Sequence, residues 1–237
     1  MSSAPILLEA VSVRLGERLA LDDVSVRLDQ QRIAVIGANG SGKSTFARLL
    51  GGLVAPTTGA VSVLGLDPSR QAKELRRAVG FVFSNPDAQI IMPTVAEDAA
   101  FSLRADKLPK AEAAARASAA LEEFGLSELA DRPAHDLSGG QKQLLALCGA
   151  LIRRPALVIA DEPTAYLDAR NSRLIADHLL RDGKDQAGDR AHRLVLVTHD
   201  LALAARCDVA VLFDDGRLTA VGSPTEVIDR YEASLVC

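Results

Sequence analysis

The first thirty residues alternate apolar and polar positions, whereas four later segments are largely apolar. The early alternation, in ILLEAVSVRL and LALDDVSVRL, predicts half-exposed antiparallel strands. The later segments are RIAVI at 32–36, ALVIA at 156–160, RLVLVT at 193–198 and VAVLF at 209–213. They are short and rich in β-branched residues, as expected of strands that are covered on both faces. Because helical stretches lie between them, the sequence predicts a layered α/β core.

A mostly helical insert is predicted at about residues 87–136. Its clearest element is PKAEAAARASAALEEF at 109–124, which starts with a proline and is followed by a glycine. We therefore expect one domain over 1–237, in which 1–86 and 137–237 form the core. Near the C-terminus, Asp-Gly between VAVLF and RLTAVG predicts a hairpin, and SPTEVIDRY predicts a capped final helix.

Composition narrows the class of protein. A net charge of −4 does not indicate a broad nucleic-acid surface, and the longest apolar run, LLALCGALI, is too short to span a bilayer. MSSAPILLEA has neither a basic region nor a long apolar stretch, so no signal peptide is expected. Cys148, Cys207 and Cys237 are odd in number and widely spaced, which predicts reduced thiols rather than disulfides or a zinc site.

GANGSGKST at 37–45 follows a predicted strand, precedes a helical segment and fits the pattern G-x-x-x-x-G-K-[ST]. Its glycines let consecutive backbone N–H groups face a phosphate, and Lys43 can reach the outer phosphate oxygens. The Ser44 hydroxyl is a candidate Mg²⁺ ligand. A plain glycine-rich turn with a solvated lysine would not require this flanking strand and helix. The candidate nucleotide-binding residues are Gly37, Ala38, Asn39, Gly40, Ser41, Gly42, Lys43, Ser44 and Thr45.

ALVIADEP ends a buried strand with two adjacent acids, Asp161 and Glu162. Buried carboxylates are costly unless a cation lies near them. The carboxyl ends of strands in an α/β sheet face the ligand crevice, so both acids are expected beside the phosphate-binding loop. Asp161 is predicted to hold Mg²⁺ through a water, and Glu162 to orient or deprotonate the attacking water.

His199 ends the strand segment RLVLVT. A histidine at a strand end is most often packed or solvated, but on a strand beside the phosphate-binding loop it could donate to the terminal phosphate and position the water. His135, His178 and His192 lie in loop or helix contexts and are interpreted as structural.

LSGGQ at 137–141 stands directly before the apolar helical run KQLLALCGALI. Two glycines at the beginning of a helix can form a second anion site, because free N–H groups and the positive end of the helix dipole meet there. Alone, the segment is equally compatible with an ordinary helix N-terminus capped by Ser138.

Taken together, GANGSGKST, LSGGQ, LVIADEP, AYLD and THD occur in an order that resembles the ATP-binding cassette (ABC) ATPases. LSGGQ about twenty residues before the strand-end Asp-Glu is the most specific of these features, since other P-loop enzymes lack it. The resemblance covers nearly the whole chain. It implies a P-loop NTPase (RecA-like) core with an N-terminal antiparallel β subdomain and a helical subdomain that carries LSGGQ.

In that family two cassettes face each other head to tail, and each supplies its LSGGQ segment to the nucleotide of the other. The resemblance therefore implies ATP and Mg²⁺ bound between two cassettes, either identical or mixed. Hydrolysis would remove the shared charge and loosen the pair. The residues carried over by this resemblance are Ser138, Gly139, Gly140 and Gln141, with Asp168 from the AYLD segment, which crosses the same interface.

Two positions depart from the family pattern. A Gln that contacts Mg²⁺ and water normally follows the strand that contains FVF, and here Ser84 stands in its place, with Gln89 as the alternative if the loop bends. The adenine-stacking aromatic expected near residue 15 is replaced by Leu15, so weaker base selectivity is expected.

NPDAQIIMPTVAEDAAF is similar to a segment of the ATPases of energy-coupling-factor (ECF) importers. This resemblance implies a transmembrane coupling protein and a small membrane substrate-binding protein as partners, and a peripheral position on the cytoplasmic face of the membrane. The implied cargo is a vitamin or a transition-metal ion, with biotin favoured and cobalt or nickel next.

Other classes fit less well. Repair ABC ATPases carry a long coiled-coil insert and translation ABC ATPases carry two cassettes, whereas this chain has a short insert and one cassette. A GTPase would need an N-K-x-D segment, which the sequence lacks. An ABC exporter ATPase remains an alternative, although the PTVAED stretch favours the ECF type. No nucleic-acid partner is expected.

Overall fold

The computed structural model describes residues 6–181 and 192–235, so Cys237 and residues 1–5 lie outside the described residues. In chain order, the strands there are β1 (Ile6–Leu15), β2 (Arg18–Leu28), β3 (Arg32–Gly37), β4 (Thr58–Ser62), β5 (Val79–Val82), β6 (Leu157–Asp161), β7 (Arg193–Val197), β8 (Val209–Asp214) and β9 (Arg217–Gly222). The α-helices are α1 (Lys43–Leu50), α2 (Ala72–Ala78), α3 (Val95–Phe101), α4 (Lys110–Glu123), α5 (Gly139–Leu151), α6 (Ala169–Leu179), α7 (Leu201–Ala204) and α8 (Pro224–Ser234).

These strands form two sheets. The smaller sheet is antiparallel with the order β2-β1-β4, and the larger has the order β5-β6-β7-β3-β8-β9. Strands β5, β6, β7, β3 and β8 run parallel, and β9 pairs antiparallel with β8. The alternating N-terminal segments therefore form the predicted antiparallel pair, and the four apolar segments form the predicted covered strands. No strong pattern predicted β4, because TGAVS is short and acquires its strand partner through tertiary pairing with β1.

The core lies on both faces of the larger sheet. Along β3, Ala34 and Ile36 pack in one hydrophobic cluster with residues of α3, α4, α5 and α6. Ile33 and Val35 pack in a second cluster with α1 and the antiparallel sheet. All four side chains are completely buried. Full burial of an aliphatic side chain of this size stabilises a fold by about 1.5–3 kcal/mol, which explains why these strands show little alternation.

The predicted helical insert contains α3, α4 and several short 3₁₀ turns. Helix α3 begins at a capping box in which Thr94 and Glu97 satisfy each other's backbone N–H groups. Helix α4 follows Pro109, and the chain leaves it through Gly125 at φ +67°, a left-handed conformation that favours glycine. None of the helices in the described ranges is long and apolar enough to cross a bilayer.

The C-terminal predictions are also confirmed. The β8–β9 hairpin turns through Asp215 and Gly216, both at positive φ. The Ser223 hydroxyl accepts a hydrogen bond from the backbone N–H of Glu226 and begins α8. The turn and the cap thus set where β8, β9 and α8 begin and end.

Candidate functional site

The loop at 37–45 connects β3 to α1 and lies at the carboxyl end of the parallel strands. Gly37 adopts φ +143°, and a Cβ there would lie 2.1 Å from the Phe213 carbonyl oxygen. Gly42 adopts φ +107°, and its Cβ would lie 2.8 Å from the Ala20 carbonyl oxygen. Glycine is therefore required at both positions, by backbone conformation and by close approach of neighbouring strands. The loop has the curvature that the motif predicts.

Lys43, at the start of α1, folds back into this loop. Its ammonium group donates to the carbonyl oxygens of Gly37 and Ala38, both at 2.8 Å. An ammonium group has three donors, so these two bonds leave one for a ligand. Burial lowers the pKa of Lys43, and the nearby carboxylates of Glu162 and Asp161 oppose that effect. The side chain is thus placed at the centre of the loop, with acids close to its charge.

Ser44 and Asp161 meet at the mouth of the loop, where the Ser44 hydroxyl donates to Asp161 Oδ1 at 2.9 Å. Asp161 is almost fully buried, and burial raises its pKa while the bond from Ser44 opposes the shift. A hydroxyl and a carboxylate oxygen are ligands that Mg²⁺ accepts together with phosphate oxygens, without an all-protein cage. The donor set therefore fits Mg²⁺ bound with a nucleotide.

Glu162 and His199 come together from neighbouring strands. The His199 ring nitrogen Nδ1 lies 2.7 Å from Glu162 Oε2, and the His199 backbone N–H donates to the same oxygen at 3.3 Å. The Glu162 side chain is mostly buried, whereas His199 is largely exposed. Glu162 has φ +52°, a conformation uncommon for a non-glycine residue and often found at functional sites. The carboxylate oxygen Oε2 is thus occupied by His199.

Asp161, Glu162 and His199 converge on the loop because of the sheet order. Strand β7 lies between β6 and β3, and Asp161 is in register with Val197. The carboxyl ends of the three strands therefore meet at one edge of the sheet, as predicted.

The predicted second anion site is the beginning of α5. The Ser138 hydroxyl accepts from the Gln141 N–H, and the Gln141 side chain accepts from the Ser138 N–H, which completes a capping box. Gly139 is exposed, and a Cβ there would have no neighbour within 4 Å. Gly140 is packed tightly, since a Cβ there would lie 2.5 Å from Asn171 Cγ. The exposed Ser-Gly end thus faces outward, as a surface that another molecule can reach.

Asp168 caps α6 beside that surface. Its carboxylate accepts from the backbone N–H and the side-chain amide of Asn171 at 2.8 and 2.7 Å. These bonds lower the pKa of Asp168 and keep the carboxylate ionised. Because the same amide packs against Gly140, Asn171 connects the AYLD segment to LSGGQ within one chain.

The segment after β5 is tied to α5 by side chains. Gln89 accepts from the Phe83 N–H and donates to the Ala146 carbonyl oxygen at 2.8 Å, so both of its polar ends are engaged. Gln143 donates to the Phe83 carbonyl oxygen, and Lys142 forms an ion pair with Asp87 at 2.7 Å. Ser84 is exposed just beyond β5.

A groove with a volume of about 490 Å³ lies beside this segment, between β5, α3 and α5. Its lining includes Phe81, Phe83 and Phe101 together with Arg104 and Arg153. Both Gln89 and Ala146 line it, so an occupant would contact the bonds that connect the segment after β5 to α5.

Leu15 and Arg18 occupy the tip of the β1–β2 hairpin, opposite each other in register. Leu15 is 42% exposed, and Arg18 donates to the Gly40 carbonyl oxygen of the loop at 2.7 Å. The tip of this hairpin, Leu15 to Arg18, contains no aromatic residue.

Several of these contacts could not be read from motifs. Arg18, Gln143 and Asn171 lie outside every motif, and their contacts depend on which elements pack together. Gln143 alone had a signal, as a polar residue inside an apolar helical run. Of the other histidines, His178 is buried and stacks on Phe124 with ring centroids 4.3 Å apart, whereas His135 is largely exposed beside Asp136.

Comparison with known proteins places these features in a family. The family model described as ABC transporter matches residues 21–165. A putative ABC transporter ATP-binding protein from Deinococcus radiodurans is 46% identical over 226 residues, covering 95% of this chain and 96% of that protein. The biotin transport ATP-binding protein BioM from Rhizobium etli is 43% identical over 226 residues, covering 95% and 97%. The energy-coupling factor transporter ATP-binding protein EcfA1 from Symbiobacterium thermophilum is 42% identical over 250 residues, covering 98% and 85%.

Solved structures agree. The protein cbiO1 from Clostridium perfringens, part of the ABC transporter complex cbiONQ, superposes with a TM-score of 0.81 at 30% identity, covering 96% of this chain and 92% of that one. A dimeric ATP-binding cassette in a post-hydrolysis state with ADP and Pi superposes with a TM-score of 0.80 at 27% identity, covering 92% and 98%.

Proposed function

Because this chain belongs to the ABC transporter family of ATPases, we propose that it is the ATP-hydrolysing subunit of an energy-coupling-factor importer. The observation that carries the hydrolytic part is the pairing of Glu162 with His199 at 2.7 Å, next to the Ser44–Asp161 pair and the loop of Lys43. General base, metal ligands and phosphate-binding loop then share one edge of the sheet.

The residues divide the chemistry among them. Lys43 and the loop N–H groups bind the phosphates of ATP. Mg²⁺, held by the Ser44 hydroxyl and by Asp161 through a water, would neutralise phosphate charge. Glu162 Oε1 orients the attacking water and accepts its proton.

His199 has a defined part in this arrangement. An ionised Glu162 only accepts hydrogen bonds, so the proton of the 2.7 Å contact lies on Nδ1 of His199. In the neutral ring, Nε2 is then an acceptor. Nε2 would donate a hydrogen bond to a phosphate only if both ring nitrogens carried protons. With the neutral ring, His199 instead orients the Glu162 carboxylate.

The LSGGQ segment acts on a second cassette. Ser138 and Gly139 are exposed at the beginning of α5, where a helix N-terminus binds anions. We place them on the terminal phosphate held by the opposing cassette, with Gln141 and Asp168 beside them. We assign the role of the missing glutamine to Ser84, since both polar ends of Gln89 are engaged elsewhere.

The groove lined by Phe81, Phe83 and Phe101 would couple conformational changes of this chain to the membrane proteins. A helix of the transmembrane coupling protein docked there would contact Gln89 and Arg153. The contacts of Gln89 and Gln143 with α5 and Phe83 would pass its movement to LSGGQ. The chain would then sit peripherally on the cytoplasmic face of the membrane, with a small substrate-binding membrane protein in the complex.

We propose biotin as the cargo, followed by cobalt or nickel. The likeness to the BioM protein and the SNPDAQIIMP segment support biotin. An ATP-binding subunit does not touch the cargo, so a cell-based uptake measurement is needed to test this step.

The test of the hydrolytic mechanism is Glu162→Gln. The amide keeps the shape of the side chain but cannot accept the proton. ATP should still bind, turnover should fall by about 10²-fold or more, and an ATP-dependent dimer should persist on size-exclusion chromatography. Turnover at the normal rate would show that Glu162 is not the base.

A second experiment tests the importer assignment. The tagged chain, expressed with its natural membrane proteins, should copurify with a coupling protein and a small membrane protein that holds biotin. Copurification with ribosomes or nucleic acid would instead favour a soluble ABC ATPase.

A further inference from the structure

Two consecutive carbonyl groups of the loop at 37–45 are held by donors from other elements. The Gly40 carbonyl oxygen accepts a hydrogen bond from the Arg18 guanidinium at 2.7 Å. The Ser41 carbonyl oxygen accepts from the Gly216 N–H at 2.9 Å. Arg18 is the first residue of β2, and Gly216 lies in the turn between β8 and β9. The loop is therefore held from two sides by parts of the fold that its own motif does not include.

These bonds also set the direction of the N–H groups that follow the two carbonyl groups. In a trans peptide, the C=O group and the next N–H group point to opposite sides. The Ser41 N–H accordingly points across the loop, where it donates to the Ala38 carbonyl oxygen at 3.2 Å. By the same geometry, the Gly42 N–H points away from Gly216 and into the loop. Backbone N–H groups on the inner side of such a loop are the groups that bind a phosphate.

The two peptide units have little preference of their own for this orientation. Gly40 has φ +80° and Gly42 has φ +107°, and glycine adopts positive and negative φ about equally readily. Because a glycine stands on each side of Ser41, both peptide units could rotate at low cost. The bonds from Arg18 and Gly216 select one orientation before a ligand binds, and such preorganisation increases affinity.

The Gly216 donor is itself fastened to β2. Its carbonyl oxygen accepts from the Asp22 N–H at 2.9 Å, and the Arg217 guanidinium donates to the Asp22 carboxylate at 2.6 and 2.9 Å. A Cβ at Gly216 would lie 3.2 Å from the Ala20 carbonyl oxygen. Even a methyl group there would press the turn away from β2, so the position of the Gly216 N–H depends on this close packing.

We propose that Arg18 and Gly216 are positioning residues of the nucleotide site, which hold the loop peptides in the orientation that binds phosphate. The inference rests on the proposed function, because that function assigns phosphate binding to the loop N–H groups. Arg18 and Gly216 act through the loop and not by contact with the nucleotide. Their effect should therefore extend to any polyphosphate ligand, whether or not it carries a base.

The first test removes the Arg18 donor. Arg18→Leu cannot donate, whereas Arg18→Lys retains a cationic donor. Arg14→Leu is the matched control, because Arg14 is exposed on the same hairpin and its guanidinium donates within the hairpin, to the Glu17 carbonyl oxygen at 3.3 Å. Calorimetric titration measures the affinity for Mg²⁺–ATP and for inorganic tripolyphosphate with Mg²⁺. Hydrogen-exchange mass spectrometry without ligand follows the segment 37–45.

We expect Arg18→Leu to weaken the binding of both ligands by about 3- to 10-fold, which corresponds to one net hydrogen bond. The same variant should exchange faster in the segment 37–45 without ligand. Arg18→Lys should restore the affinity to within about twofold of the parent, and Arg14→Leu should stay within the same limit, since exposed charges contribute little by themselves.

The second test displaces the Gly216 donor. Gly216→Ala places a methyl group against β2, and Gly125→Ala is the matched control. Gly125 has φ +67°, close to the +79° of Gly216, but a Cβ at Gly125 would have no neighbour within 4 Å. Both variants should melt below the parent, because alanine disfavours positive φ. Only Gly216→Ala should weaken tripolyphosphate binding, by about 3- to 10-fold.

Four results would overturn the inference, in whole or in part. Unchanged affinity and exchange in Arg18→Leu would remove the role of Arg18 and leave the proposed function intact. Weaker binding of ATP but not of tripolyphosphate, or weaker binding with unchanged exchange, would make Arg18 a direct ligand contact. Equal affinities of the Gly216→Ala and Gly125→Ala variants would remove the role of Gly216. A parent protein that binds neither ligand would reject the proposed function and this inference together.

Discussion

The two adjacent glycines of LSGGQ should respond differently to the same substitution, Gly→Ala. At Gly140, the new Cβ would lie 2.5 Å from Cγ, 2.6 Å from Nδ2 and 2.8 Å from Oδ1 of Asn171. The Asn171 amide must then move and give up its 2.7 Å bond to Asp168. At Gly139, a Cβ would have nothing within 4 Å.

The magnitudes follow from these contacts. Inserting a methyl group against Asn171 costs about 1–3 kcal/mol, because the side chain is pushed into a strained rotamer and away from Asp168. Replacing glycine by alanine in a helix stabilises the folded protein by up to about 1 kcal/mol. Gly140→Ala should therefore destabilise by about 1 kcal/mol, whereas Gly139→Ala should be neutral or stabilising by up to about 1 kcal/mol.

Thermal unfolding without nucleotide measures the difference. A gap of up to about 2 kcal/mol corresponds to roughly 4–8 °C in Tm for a protein of this size, with Gly140→Ala the lower. In an Asn171→Ala background, which removes the obstructing amide, Gly140→Ala should no longer lower Tm. Equal Tm values for the two glycine variants, or no rescue by Asn171→Ala, would refute the packing argument.

Three further predictions concern charge, base binding and thiols. Burial raises the pKa of Asp161 in the folded state above 3.8, so its charge destabilises the folded protein at higher pH. Asp161→Asn should therefore raise Tm at pH 7, and this difference in Tm should disappear below about pH 4. The variant should also lack ATP turnover. Leu15→Tyr restores an aromatic face beside the loop and should tighten ATP binding by about 2- to 10-fold in a titration, and an unchanged affinity would mean that the base lies elsewhere. Burial raises the pKa of Cys148 and Cys207 to about 12, so peptide mapping should find both unlabelled by iodoacetamide at pH 8 until the protein is unfolded.

Local chemistry explains why so much of the fold could be predicted. The covered strands, the hairpin at Asp215 and Gly216, and the caps at Ser138 and Ser223 depend on residues within a few positions of each other. The loop at 37–45 is likewise local, since its glycines, its lysine and its flanking strand and helix are contiguous. The weakly patterned β4 was missed because its pairing partner β1 is distant in the chain.

By itself, the sequence determined the candidate residues for the chemistry, because motif spacing fixes the types of groups that a nucleotide needs. Only the tertiary structure decided how they meet. The sheet order brings Glu162 to His199 across 37 positions of sequence, and it brings Ser44 to Asp161 across 117. The structure also decided that Asn171 packs on Gly140 and that Tyr166 stands free in solvent. Such contacts depend on strand order and helix packing, which are set by the burial of the whole core rather than by any short segment.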